Sequence, residues 1–208
     1  TVSVTTTCGY YTIPYTQNFD LFPTGGIPPC YTRDNANADA VQWQIQAVTF
    51  SSASRSMHMA KSLTLNMDDW FFLPGLYLNG GTSYRLFFRY NTGNTSTLFE
   101  NLRVRLGNGA SVVAMTETLI DLPNINNNSF QIAVVDFIPV TTGVYYLGFQ
   151  GQSIANQTYI AIDDISVTLS PSCFAPTDVT INSTGITTAS VSWTAASPAP
   201  ANGYQYYV

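Results

Sequence analysis

The sequence contains few charged side chains and very few of the residues that support hydrolytic or metal chemistry. Of 208 residues, 9% are charged, His58 is the only histidine, Lys61 is the only lysine, and there are three cysteines. Seven basic against twelve acidic side chains give a net charge of −5, which excludes the basic face that nucleic acid requires. No apolar run approaches the roughly 18 residues of a membrane span, and residues 1–4 lack the pattern of a signal peptide. We therefore expect a mature, soluble chain.

The same scarcity argues against an enzyme. A catalytic triad needs a base beside a nucleophile, but His58 lies in the apolar run 57–60 without a nucleophile signature, so a structural role is expected. One histidine and three scattered cysteines give no zinc-ligand spacing. A carbohydrate-active enzyme with two carboxylates remains an alternative, although the simplest interpretation of Glu100, Glu117 and Asp121 is solubilising charge at loops and strand edges.

Apolar residues alternate with polar ones along most of the chain. Hydrophobic residues make up 45% of the sequence, and the period of two predicts half-buried strands at residues 42–47, 84–90 and 102–106. Turns rich in Gly, Asn and Pro separate these segments. The pattern predicts an all-β sandwich, with Trp43 in its core.

The composition changes at residues 170–176, where prolines bracket a short segment between strands. Such a segment is typical of an interdomain linker. It divides the chain into a first domain at residues 8–169 and a second at residues 177–208. Because the pattern Ser-Val-Thr before Cys8 recurs before Cys173, we interpret residues 1–7 as the end of a similar linker that follows a preceding domain.

The second segment carries three motifs in order: Pro176-Thr177-Asp178-Val179-Thr180, Ser190-Val191-Ser192-Trp193 and Gly203-Tyr204-Gln205-Tyr206-Tyr207. Together they resemble the opening of a fibronectin type III domain, with Trp193 at the position of that family's core tryptophan. The segment from residue 174 onward has about a third of the roughly 100 residues that a seven-strand sandwich needs. The resemblance therefore implies an incomplete module that was trimmed, packs on the first domain or makes an intermolecular contact through its strands.

The first domain carries a longer series of motifs: Tyr15-Thr16-Gln17-Asn18-Phe19-Asp20, Pro28-Pro29-Cys30-Tyr31, Asp68-Asp69-Trp70-Phe71-Phe72-Leu73-Pro74, Gly143-Val144-Tyr145-Tyr146-Leu147-Gly148-Phe149 and Ile162-Asp163-Asp164-Ile165. In this order they resemble the cleaved-adhesin or choice-of-anchor J family, relatives of MAM domains with a jelly-roll fold. Tyr31 stands where the family commonly has tryptophan, and Asp20 where glutamate is usual. The fold class implied is an all-β jelly-roll sandwich followed by an incomplete fibronectin type III-like segment.

The resemblance also implies a location and a role. The family's members are modules of large secreted or surface-anchored bacterial proteins, including adhesins and accessory regions of extracellular proteases. We expect a secreted or cell-surface, non-catalytic adhesion or ligand-recognition module whose partner is an extracellular glycan or protein. A purely structural spacer module of an extracellular protease is a further alternative.

Three cysteines allow three possible single disulfides, and the sequence alone does not choose among them. The resemblance implies that Cys8 and Cys30 pair within the first domain, which leaves Cys173 to the next module. A bond between Cys8 and Cys173 stays open, because the ends of a domain often lie close together.

A structural calcium ion is also implied by the resemblance, held between the first and last strands by Asp20 with Asp163 or Asp164. Independently, the apolar parity of residues 159–169 switches at this Asp pair, as at a β-bulge. Two carboxylates at a buried bend repel each other unless a cation neutralises them, and oxygen ligands suit calcium rather than zinc.

Residues 34–39 form a second acidic segment. Its Asp39 and, less favourably, Asp34 are candidates to add calcium-binding oxygens. The segment lacks the glycine and the distal glutamate of an EF-hand. The alternative is a turn in which Asn and Asp side chains cap their own backbone.

Four arginines and one tryptophan are candidates for ligand binding. If the strands that carry them are neighbours, Arg85, Arg89, Arg103 and Arg105 form a cationic stripe around Phe87 for acidic glycans or carboxylates. The alternative is a solvated sheet face on which the arginine stems cover Phe87. Trp70 offers a ring for sugar stacking, although its apolar neighbours favour burial.

Overall fold

A computed structural model describes residues 8–93, 97–171, 176–196 and 203–204. The chain forms two compact units, Thr1–Leu169 and Ser170–Val208. The strands of both units pair antiparallel. In the described part of the chain, no helix has the length and apolar character that a membrane crossing requires.

Two six-stranded sheets make up the first unit, with strands numbered in chain order. Sheet 1 contains β1 (Tyr15–Gln17), β3 (Gln44–Gln46), β4 (Ser56–Ala60), β7 (Tyr84–Asn91), β10 (Gln131–Phe137) and β12 (Tyr159–Leu169). Sheet 2 contains β2 (Thr32–Asn35), β5 (Asp69–Phe72), β6 (Leu76–Leu78), β8 (Glu100–Gly107), β9 (Met115–Ile125) and β11 (Gly143–Gly151). The order in sheet 1 is β10-β7-β12-β4-β3 with β1 beside β12, and the order in sheet 2 is β2-β5-β11-β8-β9 with β6 beside β11.

Aromatic rings from both sheets meet in the core between them. Phe71 of sheet 2 stacks on Phe149 at 4.7 Å between ring centroids, and Phe88 of sheet 1 meets Phe149 edge-on at 5.2 Å. Trp43 contacts Phe71 at 4.9 Å and is fully buried, as the alternation predicts. Because each strand turns every second side chain inward, the two sheets bury one apolar layer between them. The jelly-roll sandwich predicted for this unit is confirmed.

Strand β12 contains an irregularity that positions several polar side chains. Its register against β7 shifts between Asp163 and Ser166, and Asp164 has a φ of 51°. The bulge predicted at the Asp pair is therefore confirmed. Before the bulge the other edge of β12 pairs with β4, and after it that edge pairs with β1.

The disulfide joins Cys8 to Cys30, which confirms the pairing that the family resemblance implies. Cys173 lies outside the described residues, as do residues 1–7 of the predicted preceding linker and most of the predicted linker at 170–176.

The second unit contains the hairpin β13 (Thr177–Thr184) and β14 (Ala189–Thr194), whose residues are all exposed. Trp193 is 48% exposed, and its ring meets Tyr204 edge-on at 5.9 Å. Residues 205–208 of the predicted third strand lie outside the described residues. The assignment to a fibronectin type III domain stays a prediction.

Candidate functional site

The predicted calcium ligands Asp20 and Asp163 anchor the same loop, residues 51–55. Asp163 Oδ2 accepts hydrogen bonds from the backbone N–H groups of Ser51 and Ser52 at 2.7 and 3.1 Å. Asp20 Oδ1 accepts from the backbone N–H groups of Ser54 and Arg55 at 2.8 and 3.0 Å. The two acids therefore hold one loop through backbone hydrogen bonds.

The bulge gives the two adjacent acids of β12 different surroundings. Asp163 is fully buried, its Oδ1 accepts from the Asp164 N–H at 2.8 Å, and burial raises its pKa to about 6. Asp164 faces outward, where Arg89 Nε lies 3.5 Å from its Oδ2 and Ser52 Oγ donates to its Oδ1. Both carboxylates thus have partners within the protein, backbone N–H groups at Asp163 and Arg89 with Ser52 at Asp164. Calcium at Asp20, Asp163 and Asp164 stays a prediction.

In the acidic segment 34–39, Asn and Asp side chains form hydrogen bonds within the segment and to the residues directly after it. The Asp39 N–H donates to the side-chain oxygens of Asn35 and Asn37, both at 3.1 Å. The Asp39 carboxylate accepts from the Val41 N–H at 2.7 Å and from Asn37 Nδ2 at 3.3 Å. This is the self-capping Asx turn foreseen as the alternative. The Asp39 carboxylate is near enough to Asp69, at the start of β5, for its charge to act there.

Asp69, at the start of β5, is a buried carboxylate without hydrogen-bond partners. Its side chain is 0% exposed and neither carboxylate oxygen has a partner. Burial raises the pKa of Asp69 to about 7, and the negative charges of Asp39, Asp68 and Asp34 raise it further. The nearby backbone N–H of Asp68, which makes no well-formed hydrogen bond to the carboxylate, lowers this pKa only in part. An unpaired carboxylate in such a position is costly unless a proton or a cation neutralises it.

Strand pairing brings residues of the 34–39 segment next to Asp69. β2 pairs with β5 so that Asn35 is opposite Asp69 and Asp34 is opposite Trp70. Within the described residues, no three His, Cys, Asp or Glu side chains are gathered closely enough to hold a metal by themselves. A cation here would therefore use amide and backbone oxygens as well as carboxylates, which is the mixture that calcium accepts.

The four predicted arginines do not form one stripe. β7 carries Arg85 and Arg89 in sheet 1, whereas β8 carries Arg103 and Arg105 in sheet 2. Arg85 makes a bidentate pair with Asp136, both bonds being 2.8 Å, and Arg103 pairs with Asp121 at 2.8 Å. The expected cationic stripe is wrong, because the two strands follow each other along the chain but lie on opposite faces of the sandwich.

Trp70 faces away from the core and is still 2% exposed. Its ring stacks on Phe72 at 5.8 Å, and Met115 packs against both. Residues between β8 and β9 cover this cluster, including Ala110 and Val112. The ring is therefore not open for stacking on a sugar in this conformation.

A groove of about 490 Å³ opens on the outer face of sheet 1 at the bulge. Its walls include Gln17, Asn18, Phe22, Phe87, Asp164 and Ser166. β1 and the loop that follows it supply one wall, and β7 and β12 supply the floor. The groove combines aromatic rings with amide, hydroxyl and carboxylate groups, the mixture that small polar ligands require.

Two further titratable groups are held inside the first unit. His58 stacks on Tyr159 at 4.9 Å, and burial lowers its pKa to about 4, in line with the structural role expected for it. Glu100 was expected to be a solubilising charge, but it is 0% exposed, and its Oε1 accepts from the Thr158 N–H. Burial raises the pKa of Glu100.

Sequence reasoning missed Asp69 and most of the groove. A signal for Asp69 existed, because it directly precedes the continuous apolar run 70–73, whose strand is buried on both faces. The groove had no comparable signal, since its residues come from three separate segments of the chain.

Comparison with solved structures identifies the fold. The K1 cleaved adhesin domain of Lys-gingipain from Porphyromonas gingivalis W83 matches with a TM-score of 0.61 and 16% identity, over 76% of this chain and 99% of that domain. The K2 domain of Lys-gingipain matches with a TM-score of 0.61 and 17% identity, over 75% and 99%. The chain has a cleaved-adhesin jelly-roll fold. No protein-family model and no curated protein sequence matches it.

The cleaved-adhesin fold is shared with sugar-binding modules. The CBM22-2 xylan-binding domain of Paenibacillus barcinonensis Xyn10C matches with a TM-score of 0.51 and 13% identity, over 75% of this chain and 99% of that domain. At this identity the likeness concerns the fold alone.

Proposed function

We propose that this chain is a non-catalytic extracellular recognition module that binds a glycan and is stabilised by calcium. The groove on sheet 1 is the observation that supports recognition most directly, because it joins an aromatic floor to polar side chains at the surface. Solved structures of the same fold include adhesin domains and xylan-binding domains, which supports the same class of role.

An extracellular location fits the covalent chemistry of the first unit. The Cys8–Cys30 disulfide persists in oxidising compartments and is rare in the cytosol. The single lysine and the many Thr, Ser and Asn residues of the sequence agree with this.

Binding to a panel of soluble polysaccharides tests the recognition role. We expect retarded migration of the chain in native gels that contain at least one polysaccharide, without release of reducing sugar. If no polysaccharide retards the chain, a spacer role replaces the proposal. If sugar is released and a single carboxylate substitution abolishes the release, the chain is an enzyme.

Calcium is proposed at the Asp69 centre, with Asp39 and the oxygens of residues 34–39 as further ligands. Asp69 is buried and has no hydrogen-bond partner at its carboxylate, and the charges of Asp39, Asp68 and Asp34 raise its pKa further, so a cation would relieve an electrostatic cost. At Asp163, by contrast, backbone N–H groups already satisfy the carboxylate. The ion would neutralise the acids and tie the 34–39 loop to β5.

Thermal unfolding at pH 7.5 with calcium or with chelator tests this site. A hundredfold excess of calcium over its Kd stabilises a protein by about 2.7 kcal/mol, so we expect the Tm of the chain to rise by several degrees. In Asp69→Asn the charge that binds the ion is absent, and the calcium response should disappear.

Asp20→Asn is the matched control variant, because it changes the other predicted calcium site, at Asp20 and Asp163. We expect it to keep the full calcium response, although losing a loop anchor lowers its Tm in all buffers. Loss of the response in Asp20→Asn but not in Asp69→Asn would place the ion at Asp20 and Asp163 instead. A Tm unaffected by calcium and chelator would exclude a structural ion altogether.

A further inference from the structure

The groove on sheet 1 has a definite architecture that narrows its ligand. Phe87 of β7 lies on the outer face, opposite Ser166 of β12 and Val134 of β10. Asp164, at the bulge, lines the groove and is partly exposed, whereas Asp163 is fully buried. The result is an aromatic ring with a carboxylate beside it.

A guanidinium group lies beside the groove, in contact with its carboxylate. Arg89 lies two residues beyond Phe87 on the same face of β7, and its Nε is 3.5 Å from Asp164 Oδ2. The side chains of Arg89 and Asp164 remain 40% and 24% exposed. Ser52 Oγ fixes the other carboxylate oxygen of Asp164, so the acid is held in place before any ligand arrives.

We propose that this groove binds a neutral sugar unit with neighbouring hydroxyl groups, which stacks on Phe87 and hydrogen-bonds to the Arg89–Asp164 pair. This rests on the proposed glycan-binding function and assigns its site and ligand class. A sugar ring has an apolar face of C–H groups that suits an aromatic ring. Two neighbouring hydroxyls offer one donor to the carboxylate and one acceptor to the guanidinium, each a charge-assisted hydrogen bond.

The charges on this face favour a neutral ligand over an acidic one. Arg89 is balanced by Asp164, and Arg85 is balanced by its bidentate partner Asp136. An acidic sugar would approach a protein of net charge −5 and compete with a carboxylate for each of these arginines. A neutral sugar keeps both pairs intact and uses their remaining hydrogen-bonding capacity.

Native affinity electrophoresis of the full chain tests the ligand class and the site. The probes are the neutral polysaccharides arabinoxylan, β-glucan and galactomannan, and the acidic polysaccharides polygalacturonate and heparin at low salt. We expect retention by at least one neutral polysaccharide and at least tenfold weaker retention by both acidic ones.

Variants at the groove test the assigned roles. Phe87→Ala should weaken retention by at least tenfold, whereas Phe87→Tyr keeps a stacking ring and should stay within twofold. Asp164→Asn should weaken retention by about fivefold to tenfold, because asparagine adopts positive φ readily and the change removes only the charged acceptor. Phe99→Ala removes an exposed ring in the loop before β8 and serves as the matched control, expected to bind as the parent does.

Three other results would each contradict one part of the proposal: the site, the neutral ligand or the glycan-binding function. If Phe87→Ala binds within twofold of the parent while its circular dichroism is unchanged, the site lies elsewhere and only the general glycan function survives. If polygalacturonate or heparin is preferred, the assignment to a neutral ligand is wrong. If no polysaccharide is retained, the proposed glycan-binding function fails with the site.

Discussion

At the residue scale, the single histidine shows how burial changes the pH response of the fold. The His58 ring packs on Tyr159, and burial lowers its pKa to about 4 from the usual 6.5. Between these values the unfolded chain binds a proton that the folded chain does not. The histidine therefore contributes stability that is present above pH 6.5 and is lost as the pH falls toward 4.

We expect this contribution to amount to up to about 3 kcal/mol, at 1.36 kcal/mol for each unit of pKa. His58→Phe keeps the stacked ring and removes the titration. Urea unfolding of both proteins from pH 4 to pH 8 measures the effect as the difference between their free energies of unfolding. Asp69, Asp163 and Glu100, whose raised pKa values act in the opposite direction, cancel in that difference. A difference that does not change with pH would show that His58 titrates normally.

Strand alternation predicts the burial of a single side chain better than its chemical type does, as Glu100 shows. Glu100 shares the inward parity of Leu102, Val104 and Leu106, and all four are buried. Extending the alternation by two residues would have placed Glu100 inside. Chemical type suggested a surface charge, but strand geometry decides which way a side chain points.

At the element scale, the connection between β8 and β9 depends on one glycine. A Cβ at Gly107 would lie 2.0 Å from the carbonyl oxygen of Ala114, whereas a Cβ at Gly109 would lie 3.2 Å from the Ala114 side chain. The connection includes the short 3₁₀ helix Val112–Ala114 and covers Trp70 and Phe72.

We expect Gly107→Ala to destabilise the first unit by about 1–3 kcal/mol, the usual range for overpacking, because a backbone atom has to move. The tryptophan fluorescence should also shift to the red as the cover over Trp70 loosens. Gly109→Ala should cost less than about 1 kcal/mol, since only a side chain must adjust. Urea unfolding followed by fluorescence measures both, and equal effects at the two glycines would contradict the packing described.

The positions of strands along the chain were predicted better than which strands are neighbours in a sheet. The alternation at residues 84–90 and 102–106 correctly marks β7 and β8 as strands, and the parity switch marks the bulge in β12. The sequence does not contain the order of strands in a sheet, because that order depends on contacts between distant segments. This is why the sequence left open whether the strands of the four arginines are neighbours, and the structure places them in two different sheets.

At the scale of the whole molecule, the disulfide ties the start of the first unit to the segment before β2. Cys8 and Cys30 are 22 residues apart. Closing a loop of this length stabilises a fold by about 3 kcal/mol through the entropy of the unfolded chain. Replacing both cysteines by serine should lower the Tm by several degrees without changing the circular dichroism of the folded state.

The same measurement on the unmodified chain with reductant provides the comparison. The reduced parent chain should have the same Tm as the variant in which both cysteines are replaced by serine. An unchanged Tm in both would show that the bond does not constrain the unfolded state of this unit.

The sequence by itself determined the fold class, which side chains of each strand face inward and the position of the bulge, since these follow from the local alternation of a β-strand. Tertiary structure alone decided that the 34–39 segment lies next to Asp69, and that the arginines of β7 and β8 lie in different sheets. It also decided that Phe87 and Asp164 line one groove, with Arg89 paired to Asp164. Alternation is fixed by covalent geometry within a few residues. Neighbours across a sheet are selected by the free energy of burying apolar faces that lie far apart along the chain, and no local pattern records that choice.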